Sequence, residues 1–237
     1  MGAKLIHVTA FARFARVCYA GQHYDKLDEL GGQMKEAGMK RKLLFASVFL
    51  LAFVALFYLV YRPWQLTWGA TSEEVNRPMP GDEIVKRPTF NATRAVTVDA
   101  PPERVWPWIV QIGYGRAGFY SWDILDNDGI PSAERIMAEH QGLRVGDLVP
   151  LARDSSARVA KMEPPRQLLL VFQSATAATW AWGLYPIDST RTRLVTRLRV
   201  RADHLTAHLM LDTFEIVMMR KHLLGIKRRA ERPEQQP

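Results

Sequence analysis

The sequence contains one cysteine, Cys18, among its 237 residues. A single thiol cannot form a disulfide framework, a cysteine-based zinc cluster or a redox-active thiol pair, so these three classes of protein are excluded. The sequence also lacks the GxSxG motif of serine hydrolases and the HExxH motif of zinc peptidases. Intrinsic disorder is excluded for most of the chain, because 48% of its residues are hydrophobic and 24% are charged.

The net charge of +8 comes from the two ends of the chain. Residues 1–42 hold eight basic residues against four acidic ones, and residues 220–237 hold six against two. Residues 43–219 carry equal numbers of both signs. A nucleic-acid-binding domain is expected to carry its excess charge on the folded body, so the sequence predicts no nucleic-acid partner.

A long apolar run, Leu43–Tyr61, contains no charged residue, proline or glycine. As a helix it would span roughly 28 Å, close to the roughly 30 Å hydrocarbon core of a bilayer. Tyr58, Tyr61 and Trp64 stand at one end, where interfacial aromatic residues are expected, and three basic residues at 40–42 precede the other. The sequence therefore predicts a transmembrane helix at 43–61 rather than a buried helix of a soluble protein.

Basic residues cluster before this helix and are sparse after it. The positive-inside rule then predicts a single-pass protein of the cell membrane, with a cytoplasmic N-terminus and an extracytoplasmic C-terminal body. A cleaved signal peptide is the alternative, but no small-x-small cleavage pattern lies close behind the apolar run. The basic tail at 1–42 is a short cytoplasmic segment or, over residues 1–38, an over-extended gene start, because Met39 would itself make a plausible translation start.

Residues 62–90 contain four prolines and little apolar periodicity, which predicts an extended connector. One folded domain is expected over 91–232, followed by a tail at 233–237. Its first strand begins at Thr93 and is followed by a helix that Pro101 and Pro102 open. A second helix is expected over about Ala133–His140.

The second half of the domain reads as an antiparallel meander followed by a helix. The terminal helix runs from about Asp212 to Glu231, and Glu215 follows Asp212 at the spacing of a capping box. The five predicted strands of the meander are Arg144–Leu151, Arg158–Glu163, Gln167–Gln173, Thr179–Pro186 and Thr192–Arg201.

Several strings in this order resemble bacterial polyketide-cyclase-like proteins of the START/SRPBCC superfamily, over about Trp68–Arg232. The resemblance implies an α+β helix-grip fold, in which a curved antiparallel sheet wraps a long C-terminal helix and leaves an apolar cavity. Because that superfamily includes lipid carriers, hormone receptors and cyclases, the resemblance does not choose a function. The strings are Trp68–Thr71, Pro80–Glu83, Asp99–Asp123, Val145–Asp147, Thr179–Trp180, Thr192–Leu194 and Leu223–Glu231.

Residues Gly113–Gly118 formally match the GxGxxG fingerprint of dinucleotide-binding folds. That fingerprint needs a strand before it and a helix opening within it, whereas here a helix that begins with proline precedes it. No cofactor is therefore predicted. We interpret the segment as a tight loop that carries four side chains to the mouth of the cavity, namely Arg116, Phe119, Tyr120 and Trp122.

The strand Thr179–Pro186 places Trp180, Trp182 and Leu184 on one face. If that face meets the terminal helix, the indoles line an apolar chamber; a filled core without a ligand is the alternative. The predicted ligand-binding residues are Trp106, Phe119, Tyr120, Trp122, Leu170, Phe172, Trp180, Trp182, Leu184, Phe214 and Met218.

Two further patterns are interpreted without a ligand. Four arginines alternate along one face of the last strand, and we expect them on a solvated sheet face rather than in a phosphate or lipid head-group site. His204 and His208 are four residues apart, but no further ligand pattern accompanies them, so no metal site is predicted. The four arginines are Arg193, Arg197, Arg199 and Arg201.

The sequence leads to a main hypothesis and two alternatives. The main hypothesis is a membrane-anchored binding or carrier domain for a hydrophobic small molecule or lipid. The first alternative is a polyketide cyclase or lyase-like enzyme that uses the same cavity, with Tyr120, Asp123 and Arg116 as catalytic candidates and His140 as a further acid or base. The second is an interaction module whose cavity is vestigial.

Overall fold

The computed structural model describes residues 32, 34–36, 38–173 and 177–233. The chain divides into two compact units, Met1–Leu59 and Val60–Pro237. Most of the basic tail predicted at 1–42, and all of the tail at 233–237 except its first residue, lie outside the described residues.

One long apolar helix, α1, occupies Met34–Leu66 and has a mean hydropathy of 2.8. It contains the run Leu43–Tyr61, and no residue of its most apolar stretch is buried. By length and composition it is able to cross a membrane. A signal sequence near an N-terminus would have the same length and composition.

The second unit is an α+β domain built on one curved six-stranded antiparallel sheet, as predicted. The strand order is β1-β6-β5-β4-β3-β2, so the strand nearest the N-terminus pairs with the last one. The strands are β1 Phe90–Val98, β2 Leu148–Ala152, β3 Ser155–Glu163, β4 Gln167–Phe172, β5 Ala178–Pro186 and β6 Thr192–Val200. The helices after α1 are α2 Ser72–Asn76, α3 Pro102–Val110, α4 Asp123–Asp126, α5 Leu205–Thr213 and α6 Glu215–Ala230.

The main core lies between the concave face of the sheet and helices α3 and α6. Alternation along β5 sends Trp180, Trp182 and Leu184 into this core, while Ala181 between them packs on the opposite face. The core side of α6 contributes Met219, Leu223 and Ile226, which recur at helical spacing, together with Ala230. The terminal helix is therefore held against the sheet by the hydrophobic effect.

The terminal helix is interrupted, and its predicted capping box is wrong. Phe214 lies between α5 and α6. Asp212 does not cap a helix, because both of its carboxylate oxygens accept from Arg62 Nε at 3.0 Å. Glu215 instead forms a buried ion pair with Arg94.

The predicted second helix over Ala133–His140 is also wrong, because only Ala138–His140 is helical, as one 3₁₀ turn. The side chain of Gln111 satisfies part of the backbone there. It accepts a hydrogen bond from the Met137 amide at 2.9 Å and donates one to the Arg135 carbonyl at 3.2 Å. A fully buried glutamine thus takes the place of helical hydrogen bonds.

The prediction of an extended connector at 62–90 is wrong as well. The last turn of α1 and helix α2 lie in this segment, and Thr71 and Glu74 form a capping box at the start of α2. Residues 67–89, here called the strap, cross the convex face of the sheet. Met79 of the strap is buried there against Ala95 and Val195.

The strap also changes the interpretation of the four arginines, because the three on β6 do not lie on a solvated face and Arg201 follows the strand. Arg197 is 3% exposed. Arg193 pairs with Glu74, and Arg199 donates to the carbonyl of Val85. Arg201 is exposed. The guanidinium of Arg197 donates to the hydroxyl of Thr93, the carboxylate of Asp82 and the carbonyls of Glu74, Val75 and Arg77.

Candidate functional site

The Gly113–Gly118 segment forms a closed loop. Gly113 and Gly118 pair with each other across the loop. Gly118 has φ +71°, and a Cβ there would collide with Ser132, so only glycine fits. The loop turns the chain from α3 toward α6 and places Phe119 against Trp180, with ring centroids 6.3 Å apart and an interplanar angle of 24°.

A cavity of about 170 Å³ opens between the concave face of the sheet and α6. Its walls are almost entirely apolar, with three titratable side chains among them. Phe119 and Trp180 form one wall, and Met218 and Met219 of α6 form another. The lining residues are Phe119, Ser121, Asp126, Leu151, Phe172, Trp180, Leu198, Glu215, Met218, Met219 and His222.

His222 is a neutral member of the cavity wall. Its Nδ1 lies 2.6 Å from the Phe119 carbonyl, and its Nε2 lies 3.3 Å from Trp182 Nε1. A carbonyl only accepts and an indole N–H only donates, so Nδ1 carries the proton and Nε2 accepts. Complete burial lowers the pKa of His222 to about 4. The ring therefore has no proton to offer a ligand, and both of its nitrogens are occupied.

Glu215 lines the cavity and forms an ion pair with Arg94. Arg94 Nη1 donates to Glu215 Oε1 at 2.8 Å, and Arg94 Nη2 lies 2.6 Å from Glu215 Oε2. Two further donors of Arg94 are taken by Gln65, through its backbone carbonyl and its side-chain oxygen, both at 2.7 Å. Arg94 is 1% exposed and Gln65 is fully buried. This pair is a fixed structural element beneath the cavity, because removing either ion would leave the other buried and unpaired.

Asp126 differs from the other two titratable groups. Its Oδ1 is buried and has no hydrogen-bond partner among the residues that the structure describes. Burial raises the pKa of this carboxyl from 3.8 to about 6, with a smaller opposing effect of Ser121. At neutral pH the cavity wall thus contains one carboxylate without an ion pair.

The structure distributes the predicted ligand-binding residues over four places. Phe119, Phe172, Trp180 and Met218 line the cavity. Leu170, Trp182 and Leu184 are packed inside the core, and Trp106 lies half-buried against it. Phe214 is 60% exposed at the break before α6. Tyr120 and Trp122 line a separate open groove of about 580 Å³ beside α6, together with Trp64, Arg220 and Lys221.

The three catalytic candidates do not line the cavity, and each has a structural role. Tyr120 donates its hydroxyl proton to the Trp108 carbonyl at 3.0 Å, and burial raises its pKa far above the ordinary value. Asp123 accepts from the Ser132 hydroxyl. Arg116 donates to the carbonyls of Val110 and His140 at 3.0 and 3.3 Å.

His140 contributes that carbonyl, and burial lowers the pKa of its ring, with a further lowering by Arg116. These groups anchor the loop and the end of α3 and do not meet around a reacting atom.

Sequence reasoning missed the three titratable wall residues, Asp126, Glu215 and His222. A signal for two of them exists in the sequence. Glu215 and His222 are seven residues apart, which is two helical turns, so both interrupt the apolar face of the terminal helix. No such pattern marks Asp126, because its loop has no periodicity.

No metal centre is evident among the described residues, where no group of three or more His, Cys, Asp or Glu side chains is arranged to hold an ion. His204 precedes α5 as its N-cap residue, and His208 lies one turn into the helix. This pair therefore does not combine with a third ligand within the described part of the chain.

No protein-family model and no curated protein matches the chain. Solved structures do. CV1439 of Chromobacterium violaceum is 16% identical, with 60% of this chain and 99% of that chain covered and a TM-score of 0.37. EF2215 of Enterococcus faecalis, a protein of unknown function, is 12% identical, with 66% and 84% covered and a TM-score of 0.43. Cgl2372 of Corynebacterium glutamicum, described as Polyketide_cyc-like, is 16% identical, with 58% and 89% covered and a TM-score of 0.33. Likeness at this level assigns no ligand and no activity.

Proposed function

We propose that the chain is a membrane-anchored, SRPBCC-type domain that binds a hydrophobic small molecule in the cavity between the sheet and α6. The observation that carries the proposal is the 170 Å³ space with apolar walls. Protein interiors are close-packed, so a space of this size inside a small domain is a binding-site candidate.

The cavity volume supports a small molecule rather than a membrane lipid. An apolar cavity of about 150 Å³ accommodates one benzene molecule. At about 170 Å³ this cavity matches a single ring or a short branched chain. A two-chain lipid is far larger, so we do not retain it as the occupant of this cavity.

Binding of toluene to the full chain, held in lipid nanodiscs, tests this proposal by isothermal titration calorimetry against empty nanodiscs. Met218→Trp adds a large side chain at the cavity wall and is expected to abolish binding. The matched control is Val217→Trp, which alters the neighbouring, 49% exposed position of α6. Absence of toluene binding to the wild type, or equal binding by both variants, would refute the proposal.

Membrane anchoring is the second part of the proposal and is supported by the composition of α1. Two single-cysteine proteins test it with a membrane-impermeant thiol reagent on intact cells. Native Cys18 is expected to react only after lysis. Asp154→Cys in a Cys18→Ser background, in the exposed turn after β2, is expected to react at once. The reverse pattern would refute the orientation, and recovery of the protein in the soluble fraction would refute the anchor.

The cyclase or lyase alternative receives less support. Tyr120, Asp123 and Arg116 make their hydrogen bonds with the protein itself and not across the cavity. Among the described residues of the cavity wall, Asp126 is the one carboxylate without an ion pair. A single carboxylate is sufficient to bind a polar group of a ligand, whereas acid–base catalysis generally uses an acid and a base together.

A further inference from the structure

One carboxylate oxygen of Asp126, at the cavity wall, has no hydrogen-bond partner among the described residues. A buried carboxylate oxygen without a hydrogen bond costs free energy, and native proteins keep few such groups. The Ser121 hydroxyl lies beside Asp126 and lowers the pKa of its carboxyl, but Ser121 has a single proton, and that proton also lies within reach of the Met218 carbonyl at 3.0 Å. The buried Oδ1 of Asp126 is thus left for a donor that the described part of the chain does not supply.

Asp126 is the titratable residue of the cavity wall whose charge is not neutralised by a partner. Glu215 is paired with Arg94, and His222 is neutral. Lys221 favours the charged form of Asp126, but its ammonium lies 3.6 Å from the centroid of the Trp122 ring and forms no ion pair with Asp126. Asp123 is the other charged neighbour, and it adds negative charge. Asp126 is therefore the one charged group of the described cavity wall that has no ion pair.

Two aromatic residues of the cavity wall suit the apolar part of a cationic ligand. Phe119 and Trp180 present stacked rings, and an aromatic face attracts both apolar groups and cations. The indole N–H of Trp180 donates to Thr196 Oγ1 at 2.8 Å. Trp180 therefore contacts a ligand through its ring and not through a hydrogen bond.

We propose that the cavity binds a primary amine carried on a single ring or a short branched chain, with its ammonium group on Asp126 and its apolar part against Phe119 and Trp180. This inference rests on the proposed binding function and names its ligand class. Hydrogen bonds to charged groups are stronger than neutral ones, so the ammonium is expected to raise affinity by about tenfold or more over an uncharged analogue.

Three probes of similar size test the inference by calorimetry on the full chain in nanodiscs: benzylamine, benzyl alcohol and toluene. Benzylamine is expected to bind the wild type at least about tenfold more tightly than the other two. Asp126→Asn is expected to remove that advantage while toluene affinity stays within about twofold. Asp154→Asn makes the same chemical change in an exposed turn and is expected to leave all three affinities unchanged.

The outcomes separate this inference from the proposed function. If toluene binds and benzylamine binds no better, or if Asp126→Asn leaves benzylamine affinity intact, the amine assignment is wrong while the hydrophobic site stands. If benzyl alcohol binds as tightly as benzylamine, the ammonium assignment is likewise wrong. If no probe binds the wild type, the proposed function itself fails.

Discussion

Replacing Asp126 with asparagine is expected to stabilise the protein at neutral pH. Asparagine keeps the shape of the carboxyl group and removes a charge that burial disfavours. A carboxyl whose pKa rises from 3.8 to about 6 on folding loses about 3 kcal/mol of folding free energy once it ionises. Asp126 is half-buried, so solvent screening reduces this to about 1–2 kcal/mol.

The sign of the pH dependence follows from the direction of this pKa change. Below about pH 4 the carboxyl is protonated in both the folded and unfolded states, and the wild type carries no penalty. Between about pH 4 and 6 the unfolded state loses this proton while the folded state still holds it, so stability falls as the pH rises, and the fall ends once the folded state has ionised as well. Asp126→Asn lacks this loss, and its advantage is expected to grow between pH 4 and 6 and to level off above pH 7.

Thermal unfolding of the full chain in nanodiscs, followed by tryptophan fluorescence from pH 4.5 to 8, measures this effect. Because His222 titrates in part of the same range with the opposite sign, the informative quantity is the difference between variant and wild type. At pH 7.5 we expect Asp126→Asn to raise Tm by about 2–6 °C. A lower Tm for the variant, or a difference that does not change with pH, would refute the argument. A stabilised variant that loses benzylamine would also show that the loss of binding is not a loss of folding.

Two further predictions concern packing and the strap. Gly225→Ala places a methyl group against the Tyr120 backbone and about 2.7 Å from Tyr120 Cβ, so a loss of about 1–3 kcal/mol is expected in urea unfolding. Gly142→Ala meets nothing within 4 Å and should change stability by less than about 0.5 kcal/mol. Arg197→Met leaves three strap carbonyls without this donor and removes one of the two arginine partners of Asp82, and it is expected to cost about 3–5 kcal/mol. Arg201→Met at an exposed position should cost little. Equal effects of the two arginine variants would contradict the role assigned to the strap.

The sheet could be predicted because its signal is local. Along β5, alternate residues are large and apolar, and this period-two pattern determines both the strand and the face that carries Trp180 and Trp182. The strap could not be predicted in this way. Its position depends on contacts between Arg197 and carbonyls about 120 residues earlier, and a sequence without periodicity contains no sign of such pairing.

The cavity was predictable only in part. Apolar periodicity indicates which side chains point inward, and this places Phe172 and Trp180 near the terminal helix. It does not indicate where side-chain volume is missing, which depends on the packing of all walls together. The hydrogen-bond partners of polar side chains also cannot be predicted from sequence. Arg116 and Tyr120 were predicted to be functional because the sequence does not show that they donate to backbone carbonyls at the end of α3.

The pairing of β1 with β6 affects the order of events during synthesis. Phe90 pairs with Val200, so more than a hundred further residues must be synthesised before the first strand can form its hydrogen bonds. Contacts of such high sequence separation slow folding, because a long loop must close before any contact forms. Strands β2 to β6 can therefore pair in order as they leave the ribosome, whereas β1 cannot pair until β6 has been made. A chain held by α1 would present an unpaired first strand until translation is nearly finished, and so would depend on being kept apart from other nascent chains during that interval.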